Sequence, residues 1–216
     1  MDELKERFDK LIGGIRIQSR KKTKGIGTLA CIVFDKETEV PLGLSNNHIL
    51  KSKKGNVYQP RNKSNKPGDI VGTIWRKSKK YDCAVFILDL TKRDYDRENT
   101  IYGLSGKVTE FVTPYDGLKV QKVGQYTGHT YGIVSGKTNN KGKFKIKPNP
   151  DKPNEEISMG GDSGSLWVTD EENFKAVGLH TGGEKNRKIW FWRRRNPDRA
   201  YAIAFENVLN DLKIKL

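Results

Sequence analysis

Cysteine is scarce in this chain. Cys31 and Cys83 are the only two in 216 residues, each inside an apolar run. Two lone thiols fit a reducing compartment better than a disulfide framework. Long apolar runs are missing too, so no segment reads as a membrane span. The N-terminal stretch "MDELKERFDKLIGG" lacks the apolar core of a Sec-type signal peptide. It spaces Leu4, Phe8, Leu11 and Ile12 as an amphipathic helix over 1–12. The expectation is a cytoplasmic protein without membrane contact. Acidic residues are few beside basic ones, 26 against 41, for a formal charge of +15. That imbalance favours an acidic partner, an acidic substrate or non-specific nucleic-acid contact through the field of the whole surface. Nothing in the sequence calls for a cofactor or a metal.

What is present is a series of short apolar runs rich in β-branched and aromatic residues, punctuated by Gly, Asn, Pro and Lys. Runs at 26–34, 40–50, 69–76 and 82–90 predict strands of a first unit. Runs at 118–128, 130–136, 143–149, 164–168, 176–183 and 200–205 predict a second. The turn-rich stretch 91–117 links them, and Val208, Leu209, Leu212 and Ile214 predict a C-terminal helix over 206–216. The chain reads as all-β: a first barrel over 13–110, a second over 111–205, and short helices at both ends.

Chemistry concentrates in three segments. His48 ends the run "PLGLSNNHIL", Asp82 opens "DCAVFIL", and Ser163 stands in "GGDSGS" with Gly160 and Gly161 before it. A serine hydroxyl is a poor nucleophile until a base takes its proton. Imidazole has the right basicity, and a carboxylate fixes its tautomer and stabilises its cation. The order His, Asp, Ser is one used for nucleophilic acyl transfer. Glycines around the serine let backbone N–H groups, here those of Gly161 and Ser163, face a developing oxyanion; one such donor is worth about 3 to 4 kcal/mol.

In order and context, "SNNHIL", "YDCAV" and "GGDSGSLWV" resemble the motifs of the trypsin/chymotrypsin-like serine peptidases. Within that superfamily the chain looks most like compact bacterial, cytosol-type members, over about residues 13 to 212. The resemblance implies two six-stranded antiparallel β-barrels packed together, with the site between them. It also implies a protein or peptide substrate, with His48 as general base, Asp82 as its orienting acid and Ser163 as nucleophile. Ile49 stands where many secreted relatives carry a disulfide cysteine.

The resemblance further implies that Ile157, Ser158, His180, Thr181 and Gly182 line the pocket for the residue before the scissile bond. Ile157, six positions before Ser163, replaces the acid of trypsin-like enzymes, although Glu155 and Glu156 are close in sequence. "VGLHTGG" resembles the pocket segment of glutamyl endopeptidases and of picornaviral chymotrypsin-like cysteine proteases. There a histidine, often helped by a hydroxyl, hydrogen-bonds Glu or Gln. His180 with Ser158 therefore implies a preference for Glu or Gln, and such a pocket rejects apolar side chains. His129 is assigned to structure.

"KLIGG" resembles a zymogen cleavage site, in which a cut after Lys10 would free an amine for Asp162. The simpler reading begins the first strand at Ile12 to Ile17, and Asp162 then needs a local partner. Residues 184–199 place Trp190, Phe191 and Trp192 beside Arg193, Arg194 and Arg195, which suits either a strand or a surface that anchors protein or stacks bases. Two readings compete with the peptidase: a catalytically silent barrel pair that binds through its basic surface, and a nucleic-acid-binding β-barrel motivated by charge alone.

Overall fold

Short runs of Val, Ile, Leu and Phe too brief for helices can hide their side chains as strands of curled sheets. The computed structural model describes residues 3–19, 25–51, 55–60, 69–152, 156–183 and 199–216. The first half forms β1 (Lys10–Leu11), β2 (Arg16–Gln18), β3 (Ile26–Thr28), β4 (Ile32–Asp35), β5 (Pro41–Asn46), β6 (Asn56–Tyr58), β7 (Ile70–Ser78) and β8 (Cys83–Leu88). The second forms β9 (Asp94–Tyr95), β10 (Val108–Phe111), β11 (Lys119–Gly124), β12 (Gly128–Ser135), β13 (Lys143–Pro148), β14 (Leu166–Thr169), β15 (Phe174–Gly183) and β16 (Ala200–Ala204). After these come α1 (Phe205–Leu212) and β17 (Ile214–Lys215).

The second unit is a closed barrel of six strands. Strands β15, β14, β11, β12, β13 and β16 pair in that order, and β16 returns to β15. The first is a curled half-barrel in the order β17-β4-β5-β8-β7-β6-β2-β3. The pairing of β4 with β5 continues just before β4, with Ala30 N–H on the Leu44 carbonyl at 2.9 Å and Leu44 N–H on that of Cys31 at 3.2 Å. Strand β10 straddles the expected boundary at 110 and lies in the second sheet, parallel to β15. Trp167, fully buried, centres the barrel core with Phe144, Ile146 and Ile157. The other core runs through the first sheet and onto Leu166, Val168, Leu179 and α1, so the two units share apolar surface.

The termini differ from the sequence expectation. Glu3–Lys5 forms one turn of 3-10 helix, and the chain then extends into β1 beside β9. An α-helix through residue 12 would need its own backbone groups. Instead the Gln59 amide donates to the Glu6 carbonyl at 2.7 Å and accepts from Phe8 N–H at 3.1 Å. Arg93 donates to the Phe8 carbonyl. At the other end α1 stops at Leu212, because Lys213 turns left-handed with φ 52°. Ile214–Lys215 then pairs antiparallel with β4. Cys31 and Cys83 are buried free thiols. Among the described residues no helix is long and apolar enough to cross a membrane.

Candidate active site

Asp82 sits at the tip between β7 and β8 with φ 48°, a left-handed conformation that costs a non-glycine residue energy. Its neighbours over-determine it. The Asn46 side-chain amide and the Asn47 N–H donate to its carbonyl at 2.9 and 3.0 Å. His48 N–H donates to Oδ1 at 2.9 Å, and His48 Nδ1 lies 2.5 Å from Oδ2. A carboxylate only accepts, so Nδ1 carries the hydrogen and Nε2 keeps its lone pair. The "NNH" run thus builds the acid as well as the imidazole.

Ser163 lies on the turn that enters β14. Gly164, at φ 93°, has no room for a side chain, which would strike the Ser45 hydroxyl and the Thr28 carbonyl. The two units touch at this point. Thr28 N–H donates to the Ser163 carbonyl at 2.9 Å, and Ser45 Oγ donates to the Thr28 carbonyl at 2.9 Å. Gly27 is pinched between the Ile49 side chain and the Ser163 carbonyl. The segments carrying His48 and Ser163 therefore converge on one strand, β3. Gly161 has φ 116°, and neither its N–H nor that of Ser163 has an acceptor among the described residues.

Asp162 is fully buried. Its Oδ1 accepts from the N–H groups of Tyr126 and Thr127, each at 3.0 Å. Its Oδ2 accepts from Met159 N–H at 2.9 Å and from the Thr127 hydroxyl at 2.8 Å. Burial pushes this carboxyl up, but the Lys122 ammonium and the converging N–H groups outweigh it and hold it below the usual carboxylate range. Lys122 itself donates to Thr127 Oγ1 at 2.9 Å.

His180 and Ser158 are brought together, with Nε2 and Oγ 3.0 Å apart. The Trp167 indole N–H points at His180 Nδ1 across 3.2 Å. Indole only donates, so Nδ1 is bare and Nε2–H faces the Ser158 oxygen. Burial, then the nearby Lys122 ammonium, pushes the His180 pKa down to about 3, leaving a neutral ring. His180 is wholly enclosed, and Ser158, 9% exposed, is the outer member of the pair.

The other expected pocket residues divide. Ile157 is buried in the Trp167 core cluster, and the Thr181 hydroxyl donates to the Tyr201 carbonyl of β16 at 3.2 Å. Gly182, with φ 152°, has open space where a side chain would stand. His129 bonds Gln121 through its ring at 2.7 Å within the barrel. Glu155 and the aromatic-basic run up to residue 198 lie outside the described residues. Sequence reasoning missed Thr28, Asn46, Lys122 and Trp167. Of these only Asn46 carried a signal, its place beside His48.

Two packed antiparallel β-units, one closed and one curled, joined along a shared core and followed by a helix, define the trypsin/chymotrypsin-like fold, and this chain has it. No protein-family model and no curated protein matches the sequence. Similar solved structures are bacterial serine proteases. One is a glutamic-acid-specific serine protease described as using a histidine triad in substrate binding, at TM-score 0.67 and 16% identity, over 95% of this chain and 100% of that one. Thermobifida fusca protease A aligns at TM-score 0.68 and 17% identity, over 95% and 97%. Nocardiopsis protease aligns at 0.67 and 17%, over 96% and 98%. Identities this low speak for the fold.

Proposed function

We propose that the chain is a serine endopeptidase. The observation that carries the reading is the 2.5 Å pairing of His48 Nδ1 with Asp82, which leaves Nε2 as the free base, while Ile49, the next residue, meets the Ser163 carbonyl against Gly27. In the reaction Nε2 takes the Ser163 hydroxyl proton as Oγ attacks the peptide carbonyl. The carbonyl oxygen becomes an oxyanion held by the N–H groups of Gly161 and Ser163. The imidazolium, steadied by Asp82, protonates the departing amine. Water then enters by the same base and hydrolyses the acyl-enzyme, restoring Ser163.

For specificity the reading is a preference for Glu or Gln before the scissile bond. Because Nε2–H of His180 occupies one lone pair of Ser158, the Ser158 hydroxyl is free to donate outward to a carboxylate or amide oxygen. An apolar side chain would leave that donor unpaired, which disfavours it. The similar fold of a glutamic-acid-specific protease agrees with this assignment.

The test is digestion of a diverse peptide library by wild type and Ser163→Ala, read by mass spectrometry. Cuts made only by wild type, mostly after Glu or Gln, are expected. Cuts after other residues would keep the peptidase and discard the preference. A folded wild type that neither cuts nor reacts with a fluorophosphonate would end the peptidase reading.

A further inference from the structure

We propose that Thr28 is the positioning residue of the oxyanion loop, its one hydroxyl locking the peptide between the two oxyanion donors; the inference rests on the peptidase reading. Thr28 belongs to β3 of the first unit, and the loop belongs to the second. Thr28 Oγ1 donates to the Gly161 carbonyl at 3.0 Å and accepts from Gln125 N–H at 3.1 Å.

The Gly161 carbonyl is one end of the peptide joining Gly161 to Asp162. At its other end, Asp162 N–H donates to the Met159 carbonyl at 3.1 Å. With both ends held, that peptide cannot rotate. The N–H groups of Gly161 and Ser163 belong to the peptides on either side of it, so the lock restrains them through the Gly161 and Asp162 torsions, and Ser165 N–H holds the Asp162 carbonyl of the second at 2.9 Å. The lock matters because Gly161 is free to turn: at φ 116° it tolerates conformations that other residues avoid. A side chain here would be strained at that φ and would push the Gln125 amide aside. Restraint must come from outside, and Thr28 supplies it.

Threonine fits the task for three reasons. Its oxygen donates and accepts at once, which no apolar isostere does. Its branched Cβ restricts the side-chain rotamer. Its backbone is gripped as well, with N–H on the Ser163 carbonyl and its carbonyl on the Ser45 hydroxyl, and the residue is fully buried. Thr28 thus ties the strand of one unit to both Ser163 and Gly161 of the other. It touches no reacting atom and acts through Gly161.

The experiment compares wild type, Thr28→Val and Thr28→Ser on one peptide that wild type cuts. Active sites are counted by fluorophosphonate labelling, and folding is checked by circular dichroism melting. A peptide boronate reports transition-state-like binding. Thr28→Val is expected to lower kcat by about tenfold to a hundredfold, less than loss of an oxyanion donor itself, with KM within about twofold. Boronate affinity should fall in step with kcat/KM, and Thr28→Ser should return kcat to within about threefold of wild type. If Thr28→Val does not fold, Thr28→Ala against Thr28→Ser makes the same comparison. Unchanged kcat in folded Thr28→Val, or equal losses in the serine variant, would overturn the assignment while leaving the peptidase intact. A wild type inert to peptide and probe would overturn both.

Discussion

Lys122 Nζ lies 3.5 Å from Asp162 Oδ2, and neither side chain reaches solvent. The acid beside Ser163 thus finds its cation inside the second barrel, from β11. The local partner that Asp162 requires when no N-terminal amine is supplied is therefore present. Removing one member of a buried pair strands the other charge, which costs about 3 to 5 kcal/mol. Lys122→Met should lower the melting temperature sharply and depress peptide cleavage with it. Adding Asp162→Asn should recover part of the stability, because no charge is then left unpaired. A double-mutant cycle by thermal denaturation checks this; additive losses would mean the two residues are independent.

Asp82 is held by donors from 46 to 48. Asp82→Asn presents an amide to His48 and favours the wrong tautomer, so kcat should fall by about three to four powers of ten. Asn46→Ala removes one bond to the Asp82 carbonyl and should cost stability of about 1 kcal/mol and a smaller share of kcat. Steady-state kinetics beside urea denaturation separates the two effects. An Asn46→Ala enzyme with full kcat would show that the Asp82 conformation does not depend on this amide.

Specificity should divide between Ser158 and its support. Ser158→Ala is expected to lower kcat/KM for Glu and Gln peptides by about tenfold or more, with little change for the weak apolar substrates. Trp167→Phe removes the indole donor to His180 Nδ1 without opening a large cavity. The ring can then change tautomer, and the Glu-to-Leu ratio of kcat/KM should fall while the fold persists. His180→Ala would create a cavity and cost about 2 to 4 kcal/mol, so Trp167→Phe is the cleaner test.

Acidity should act on His180 through stability. Its folded pKa is pushed down to about 3 from 6.5, by burial first and then by Lys122 and His48 against the opposing Asp162 carboxylate. Between those values the unfolded chain binds a proton that the native ring refuses. Stability should therefore fall as pH drops from about 6.5 toward 3, at about 1 kcal/mol per pH unit from this group. His129 adds to the trend, its pKa lowered chiefly by burial. Unfolding midpoints across this range, in wild type and His180→Asn, measure the slope. An identical slope in both would assign the acid sensitivity elsewhere.

The strands that were legible in the sequence are those whose apolar residues outnumber their turns, such as β5, β8, β14 and β15. The run 26–34 reads as one strand but is two. Leu29, Ala30 and Cys31 are buried on all sides, so no alternation marks the break between β3 and β4. Strands β2 and β6 are too short to show a period, and β10 has only Val108 buried among its four residues. The N-terminal helix failed because Gln59 and Arg93, distant in sequence, take up its backbone groups. His48, Asp82 and Ser163 were legible because reactive side chains must stand in particular company. Lys122 was not: in "KVQKVG" it reads as a solvated face, and only the buried Asp162 explains it. Thr28 was hidden for a similar reason, since its partners lie about a hundred residues or more away.

Strand β17 gives the half-barrel its last neighbour, laying Ile214 and Lys215 along β4. A ribosome that has released only the first hundred residues leaves β4 with an open edge, and its sheet stays one strand short until residue 215 emerges. Such a distant pairing raises contact order and delays assembly. The helix before it, α1, buries Phe205, Val208, Leu209 and Leu212 in the core that runs through that first sheet. The unit made first is thus completed only after the second has been made, and the strand carrying Thr28 gains its completed surroundings only once Ile214 and Lys215 have joined β4.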